Sequence, residues 1–217
     1  MQFKARIKKL AEENNIPAQA VLQNFMLERL LERISYSTHK DNLILKGGML
    51  IASLVGISSR TTMDMDATLK SHPLSEETLH KSLSEICAID LNDDVTFSLR
   101  ELKDIRDTDE YGGYRAAINA QYETINTPLK IDITVGDKVT PEAIEYAFPS
   151  IFEEKLIPVW AYNIETLLAE KVETILSRVV FNTRSRDFYD IYILSKTQKI
   201  NEVLFATALK ATAEHRS

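Results

Sequence analysis

The chain has 217 residues, one cysteine and a formal net charge of −6, and these values exclude several classes of protein. A single cysteine forms no disulfide within one chain and fits a reducing cytosol. No apolar run approaches the roughly 18 residues that cross a bilayer, so we expect a cytoplasmic protein without a membrane partner. The negative charge argues against wrapping nucleic acid over a broad basic surface, but it permits a local basic patch.

Residues 2–36 predict helices, because apolar side chains recur three and four positions apart. The pattern breaks near Asn15 and Pro17. The apolar stripe from Val21 to Ile34 is expected to pack in the core, with the charged residues of the same segment on the opposite side.

A glycine pair stands where a short strand is expected to turn into a helix. The apolar run 42–45 predicts the strand, Lys46-Gly47-Gly48 ends it, and a helix follows at about 48–56. Glycines that open a helix expose backbone N–H groups that hold phosphates. A plain tight turn explains the glycines equally well, and Lys46 either reaches a phosphate or simply ends the strand.

Residues 63–69 alternate between apolar and polar, as a half-buried strand does. Asp64 and Asp66 therefore share one face. Two carboxylates this close repel each other unless a cation lies between them, and a divalent metal is the usual one. The alternative is two ordinary acids on an edge strand, but aspartate is disfavoured in strands. We expect a metal site, with Arg60 and Thr62 near the phosphates of a nucleotide. The apolar face is expected to consist of Met63, Met65, Ala67 and Leu69.

The middle of the chain predicts one helix and three strands, at residues 75–88, 95–105, 114–124 and 129–135. Asp132 lies on the polar face of the last strand. If that strand neighbours the strand of Asp64 and Asp66, the three carboxylates converge, as two-metal nucleotidyl transfer requires. Asp132 would then help to hold a second ion and deprotonate or orient the attacking hydroxyl. The alternative is an ordinary surface aspartate.

The C-terminal third predicts a loop at residues 136–158 and then helices near 163–179, 185–195 and 201–213. Lys171 falls within the apolar stripe of the first of these helices. A lysine on a core stripe extends its ammonium to the surface, pairs with an acid or enters a cavity. We expect Lys171 to enter a cleft and neutralise triphosphate charge.

Arg186, Asp187 and Asp190 lie in the first turns of the helix near 185–195. The two acids favour the positive end of a helix dipole, and an Arg186–Asp190 pair would explain much of this pattern. The functional alternative has Asp190 orienting Lys171, and Arg184 or Arg186 contacting phosphate or RNA.

The elements together predict an α+β protein. A domain boundary is expected in the loop before Trp160. It divides the chain into a core at residues 1–158 and a helical part at 159–217. The last helix ends without a visible cap, and the sequence leaves open whether the C-terminal part is complete.

Five motifs in this order resemble those of the AbiEii/AbiGii-type nucleotidyltransferase toxins, a group that includes the MenT toxins. The motifs are Leu45-Lys46-Gly47-Gly48, Arg60-Thr61-Thr62-Met63-Asp64-Met65-Asp66, Lys130-Ile131-Asp132-Ile133, Glu170-Lys171 and Arg186-Asp187-Phe188-Tyr189-Asp190. Each motif is weak alone, but the ordered set is fairly specific.

The resemblance implies a polymerase-β-like nucleotidyltransferase core with a mixed sheet and a helical C-terminal part. It implies an enzyme that uses Mg²⁺, with two ions expected, and an NTP as substrate. Some members extend the acceptor end of tRNA, which makes tRNA the expected acceptor. It also implies a toxin of a bacterial toxin–antitoxin or phage-defence system, whose antitoxin is often a winged-helix regulator.

At matching positions, the resemblance assigns metal binding to Asp64 and Asp66 and active-site roles to Lys171 and Asp190. The residues expected against the phosphates are Gly47, Gly48 and Thr62. Many members of the wider polymerase-β superfamily have Gly-Ser at this helix start. Here Met49 follows Gly48, so a hydroxyl contact from this turn is not expected.

Two other functions stay open at this stage. A catalytically silent nucleotide-binding or regulatory protein would keep the fold without turnover, although clustered charges that cost stability argue against it. A metal-dependent phosphohydrolase could use the same acids, but it would need a positioned water in place of an acceptor site.

Overall fold

The computed structural model describes residues 3–70, 75–105, 112–177 and 185–216. Within these ranges the chain forms seven helices and seven strands. The helices are α1 (Phe3–Asn14), α2 (Ala18–Tyr36), α3 (Gly47–Val55), α4 (Glu76–Cys87), α5 (Ile164–Ser177), α6 (Ser185–Thr197) and α7 (Glu202–His215). The strands are β1 (Leu43–Lys46), β2 (Met65–Leu69), β3 (Val95–Ile105), β4 (Gly113–Tyr122), β5 (Ile125–Val135), β6 (Ile144–Pro149) and β7 (Leu156–Ala161).

The described strands form one mixed sheet in the order β3-β4-β5-β2-β1-β7-β6. Strand β2 is antiparallel to β1 and parallel to β5, while β1 is parallel to β7. The acid strand β2 therefore lies at the centre of the sheet. It has the strand of the glycine turn on one side and the strand of Asp132 on the other. This mixed sheet with surrounding helices confirms the predicted α+β class.

The alternation predicted for β2 is confirmed within the strand, where Met65, Ala67 and Leu69 are buried in the core. The assignment of Met63 to the apolar face was wrong. Met63 precedes the strand and is 47% exposed, because the pleat that turns alternate residues inward begins only at Met65.

The charged side of α2, expected opposite the core stripe, is itself buried. Arg33 is fully buried, and its guanidinium donates to both carboxylate oxygens of Asp93, at 2.7 and 3.0 Å. Glu28 is also buried and accepts a hydrogen bond from Ser150. Partners distant in sequence pair with these charges, so the helix can be buried on all sides.

The prediction of a loop at residues 136–158 was also wrong, because this segment contains β6 and the start of β7. Strand β6 lies at the edge of the sheet and pairs with β7 alone. Each strand is short, and Pro149 and Pro158 interrupt the residue pattern. Phe148 and Ile157 anchor the two strands in the core.

The three C-terminal helices pack on one another and on the core, with α5 against α6 and α7, and α6 against α3. The expected division after residue 158 falls inside β7, whose residues Trp160 and Ala161 pair with β1. Among the described residues, no helix combines the length and hydropathy needed to cross a bilayer.

Candidate active site

The order of the strands brings the predicted acids together. Asp66 on β2 is the register partner of Lys46 on β1 and of Asp132 on β5. Side chains at paired positions of adjacent strands point to the same face of the sheet. Asp66 and Asp132, which are 66 positions apart in the sequence, are therefore neighbours.

The glycine turn packs directly against Asp66. The amide of Gly48 donates to Asp66 Oδ2 at 3.3 Å. Gly47 has φ of +64°, and a Cβ there would lie 2.0 Å from Asp66 Oδ2. At Gly48, a Cβ would lie 2.9 Å from the hydroxyl oxygen of Thr62. Both positions require glycine, because Asp66 and Thr62 occupy the space that a side chain would need.

The segment before β2 is held in place by buried polar groups. Thr62 Oγ1 lies 3.0 Å from the carbonyl oxygen of Asp64 and 3.1 Å from its Oδ1. Gln23 donates to the carbonyl of Met63, and Asn24 donates to that of Thr62, both at 3.0 Å. The predicted site did not include these two α2 side chains, because periodicity gives no sign of contacts with a loop about forty positions away.

The electrostatic environment of Asp66 disfavours its charge. Burial raises the pKa of this carboxyl, and the neighbouring charge of Asp64 raises it further. Lys46 and the Gly48 amide act in the opposite direction without cancelling the rise. Asp66 is therefore a half-buried acid whose charge the protein compensates only in part.

Asp132 already has a cationic partner. Arg115 on β4 donates to both of its carboxylate oxygens at 2.7 Å, in the bidentate geometry of a strong ion pair. No group of three or more Asp, Glu, His or Cys side chains in the described ranges is arranged to hold a metal ion. The acids of β2 and β5 are thus neighbours in the sheet, but they do not form a ready-made three-carboxylate site.

Lys171 and Asp190 meet, as the sequence analysis expected. Lys171 Nζ lies 2.6 Å from Asp187 Oδ1 and 3.2 Å from Asp190 Oδ2. Asp190 is fully buried and also accepts from Arg60 Nε at 2.8 Å. Asp190 thus pairs with Arg60 and Lys171, in place of the Arg186 pair considered from the sequence, and links the loop before β2 to α5 and α6.

These elements enclose an open, polar cleft of about 390 Å³. It is lined by Gly48, Arg60, Thr62, Asp64, Asp66, Lys171, Ser185, Arg186 and Asp187. The acid pair contributes negative charge to its wall, and Lys171 and Arg186 contribute positive charge from α5 and α6. A site with both signs of charge suits a metal ion together with an anionic ligand. Arg184, named as an alternative to Arg186, lies outside the described residues.

Lys46 lies in a second group of charges, which we call the buried ion cluster: Lys46, Asp137, Tyr162 and Glu170. Lys46 Nζ donates to Asp137 at 2.5 Å and to Glu170 at 3.3 Å. The hydroxyl of Tyr162 donates to Asp137 at 3.1 Å. The ammonium expected near a phosphate is therefore bound by two acids, and Lys46 is not among the residues that line the cleft.

Charge compensation in the buried ion cluster is strong. Burial alone would lower the pKa of Lys46, but Glu170 and Asp137 raise it above its ordinary value. Burial also opposes the charge of Asp137, yet Lys46, Thr134 and Tyr162 lower the pKa of this carboxyl to about 2. Asp137 was not among the predicted site residues, because it follows β5 in the segment predicted as a loop.

Comparison with known proteins identifies the family. The model of the AbiEii nucleotidyl transferase toxin, assigned to type IV toxin–antitoxin systems, matches residues 29–217. The chain belongs to the AbiEii family. Membership confirms the resemblance carried by the five motifs and makes this AbiEii protein a nucleotidyltransferase, for which an NTP is the substrate class. It also implies a cognate antitoxin.

Two solved structures share the fold of this AbiEii protein. JHP933 from Helicobacter pylori is similar with a TM-score of 0.54 and 18% identity, over 88% of this chain and 73% of its own. A structure from H. pylori assigned as a nucleotidyltransferase has a TM-score of 0.55 and 17% identity, over 92% of this chain and 78% of its own. At these identities the likeness establishes the fold alone. No curated protein sequence matches the chain significantly.

Proposed function

We propose that this AbiEii protein is an Mg²⁺-dependent toxin that transfers a nucleoside monophosphate from an NTP to a hydroxyl of an RNA acceptor, with tRNA as the expected acceptor. One observation carries the proposal. The Asp64–Asp66 pair, the Gly48 amide and Lys171 line the same cleft. These groups supply a cation site, a glycine turn whose amide holds one of its carboxylates, and a fixed positive charge for a triphosphate.

The two acids of β2 fit a magnesium ion. Mg²⁺ in nucleotide enzymes is usually held by one or two carboxylates together with substrate phosphates, without a complete protein cage. A pair of carboxylates therefore suffices. Lys46 cannot fully neutralise Asp66, because its ammonium is bound by Asp137 and Glu170. When bound, the metal would polarise the phosphate oxygens and neutralise charge on the leaving pyrophosphate.

A second ion at Asp132 is a more demanding proposal. Both oxygens of this carboxylate are occupied by Arg115. Arg115 would have to release at least one oxygen before Asp132 could hold an ion or accept the proton of the acceptor hydroxyl. The exposed side chain of Arg115 has room to do so, since 46% of its surface is accessible.

The proposed reaction is a displacement at phosphorus. The acceptor hydroxyl oxygen forms a bond to the α-phosphorus, and the bond from that phosphorus to the pyrophosphate oxygen breaks. Once Arg115 has released an oxygen of Asp132, that carboxylate accepts the proton of the hydroxyl. Pyrophosphate departs with the electron pair of the broken P–O bond. Lys171 stabilises negative charge as it develops on the phosphates. Asp187 and Asp190 keep its ammonium oriented.

The cellular role proposed here follows from family membership. A nucleotidyltransferase toxin that modifies tRNA would stop translation in the cytoplasm, as part of a toxin–antitoxin or phage-defence system. A winged-helix regulator is the proposed antitoxin. Expression of the protein alone should then arrest growth, and co-expression of the antitoxin should restore it.

Transfer of label tests the proposal. The protein is incubated with Mg²⁺, total RNA and each α-labelled NTP in turn, and the RNA is separated on a gel. Asp94, directly before β3, is exposed, and Asp94→Asn is the control. Wild type and Asp94→Asn should label an RNA species, whereas Asp66→Asn should not. Nucleotide binding without transfer would favour the silent regulatory alternative. Phosphate release that needs no RNA would favour the phosphohydrolase.

A further inference from the structure

Helix α6, whose first turn lines the cleft, presents three exposed aromatic side chains, Phe188, Tyr189 and Tyr192. Phe188 is 52% exposed and Tyr192 is 57% exposed. They are four positions apart, and Lys196 follows after another four, so the three side chains share one face of the helix. We call this face the outer stripe of α6. Tyr189, between the rings in sequence, is held differently, because its hydroxyl donates to the carbonyl of Ser59 at 2.9 Å.

The helix that carries the outer stripe also carries the acidic partners of Lys171. The opposite face of α6 buries Asp187, Asp190 and Leu194. Asp187 and Asp190 are the partners of Lys171. Ser185, Arg186 and Asp187, at the start of the same helix, line the cleft. Because the first turn of α6 lines the cleft, a ligand bound along the stripe would start within one turn of the cleft and extend about 12 Å along the helix.

The charge of this helix differs from that of the whole chain. The chain has a net charge of −6. In α6, however, the only acids are Asp187 and Asp190, and both are buried. The exposed ionisable cations are Arg186 and Lys196. The helix thus presents rings and positive charge to solvent, which complements a polyanion.

We propose that the outer stripe of α6 binds the single-stranded end of the RNA acceptor and directs its terminal hydroxyl into the cleft. The proposal rests on the function proposed above. Exposed aromatic side chains next to cations are the usual platform for single-stranded nucleic acid, because bases stack on the rings while the cations contact the backbone. Duplex RNA does not offer its stacked bases in this way. Exposed rings alone would fit a protein partner equally well, but the charge of the helix favours RNA.

The first experiment measures binding directly. The probe is a fluorescent single-stranded RNA of about a dozen nucleotides, within the site sizes of known single-strand binders. The double variant Phe188→Ala/Tyr192→Ala should weaken binding by on the order of 100-fold, or about 10-fold for each ring. Tyr192→Phe keeps the ring and should bind as wild type does. Lys196→Gln should make affinity less dependent on salt.

Tyr36→Ala is the matched control, because Tyr36 is an exposed aromatic residue at the end of α2, with 64% of its surface accessible. It should leave RNA binding unchanged. A duplex of the same sequence should bind every variant equally. Unchanged affinity of the double variant for single-stranded RNA would overturn the proposal and leave the stripe to a protein partner.

The second experiment separates this proposal from the proposed function. In the transfer assay, the double variant should raise the KM for RNA by at least about 10-fold. Its affinity for NTP with Mg²⁺, measured by calorimetry, should stay at the wild-type value. A wild-type enzyme that transfers nucleotide while the double variant keeps the same KM would overturn the stripe alone. A wild-type protein that binds the RNA through the stripe but transfers nothing would overturn the proposed function alone.

Discussion

Two groups of half-buried acids lie near Lys46 and the glycine turn, and their electrostatics are opposite. In the cleft, burial and the charge of Asp64 raise the pKa of Asp66. In the buried ion cluster, the partners of Asp137 overcome its burial and lower its pKa to about 2. The two carboxyls belong to the same residue type in the same sheet-centred core. Their surroundings alone make one costly to ionise and the other difficult to protonate.

The difference lies in the number of donors. Asp137 accepts from Lys46, Thr134 and Tyr162. Asp66 accepts one backbone N–H, at 3.3 Å, and has another carboxylate beside it. A buried acid with a full set of partners contributes to the stability of the fold. An acid that lacks them destabilises the free protein and is retained for what it binds.

Removing the charge of Asp66 should have the largest effect of any change considered. Asp66→Asn should lower the rate of nucleotidyl transfer on the order of 1,000-fold, because the metal ion that Asp66 would hold contributes several kcal/mol of transition-state stabilisation. The thermal midpoint of the variant should equal or exceed that of wild type, because an incompletely compensated charge is removed. Single-turnover transfer and a thermal scan measure the two quantities. A variant with a lower thermal midpoint and an unchanged transfer rate would contradict both expectations.

Replacing Lys171 should weaken the positive side of the cleft. Lys171→Met should reduce the transfer rate about 100- to 1,000-fold, the range for loss of one fixed charge or donor at a reacting centre. The matched control is Lys81→Met, on the exposed surface of α4. Rates under saturating NTP and RNA decide the outcome. A change confined to KM, with an unaltered maximal rate, would speak against a role in the transition state.

Removing the charge of Asp137 should act on stability. Asp137→Asn leaves Lys46 with Glu170 as its remaining acidic partner in the cluster, and breaking a buried pair typically costs about 3 kcal/mol. Urea denaturation should therefore show a clear loss for this variant and none for Asp66→Asn. The comparison between the two groups of acids would fail if the two variants ranked in the opposite order.

The pH dependence of stability should show how strongly the charges of Asp137 and Lys46 are compensated in the buried ion cluster. The folded-state pKa of Asp137, about 2, is lower than its ordinary value of 3.8. Its contribution is therefore present above about pH 4 and is lost as the pH falls towards 2, by about 2 kcal/mol. For Lys46 the pKa is raised, so its contribution is present below the ordinary 10.5 and is lost in more alkaline solution. Urea midpoints from about pH 5 to pH 2 check the acid limb, and Asp137→Asn should have lost this component.

The glycine turn offers the smallest and most local test. Gly47→Ala should destabilise the protein by about 1 to 2 kcal/mol, because its positive φ is unfavourable for alanine. The new Cβ would also displace Asp66 and lower the transfer rate. At Gly112 an added Cβ meets nothing within 4 Å, so Gly112→Ala is the matched control. Equal stability and equal transfer rates of the two variants would show that the close approach of Gly47 to Asp66 is unimportant.

Features that depend on local periodicity could be predicted from the sequence. The alternation around Asp66 and Asp132 placed both acids on the polar faces of their strands, and the sheet then made them register partners. The position of Lys171 on an apolar stripe indicated a lysine that reaches the surface, pairs with an acid or enters a cavity. In the structure Lys171 lines the cleft and pairs with Asp187 and Asp190. In these cases the spacing of residues along the strand or helix determines which face each side chain occupies.

Contacts between distant segments were not predictable in this way. Arg115 pairs with Asp132 because β4 is the neighbour of β5. Lys46 meets Asp137 and Glu170 only after β1, the end of β5 and α5 have assembled. Edge strand β6 was missed because short, proline-containing strands give a weak alternating pattern. Burial of the charged side of α2 depended on partners that no helical period reveals.

We attribute the incomplete compensation of Asp66, beside Asp64, to the binding of a metal–nucleotide complex. Calorimetric titration of a non-hydrolysable NTP analogue with Mg²⁺ measures this directly, without an acceptor. Wild type and Asp94→Asn should bind the complex, and Asp66→Asn should show no metal-dependent binding while remaining folded. Equal, metal-dependent binding by folded Asp66→Asn would contradict the account.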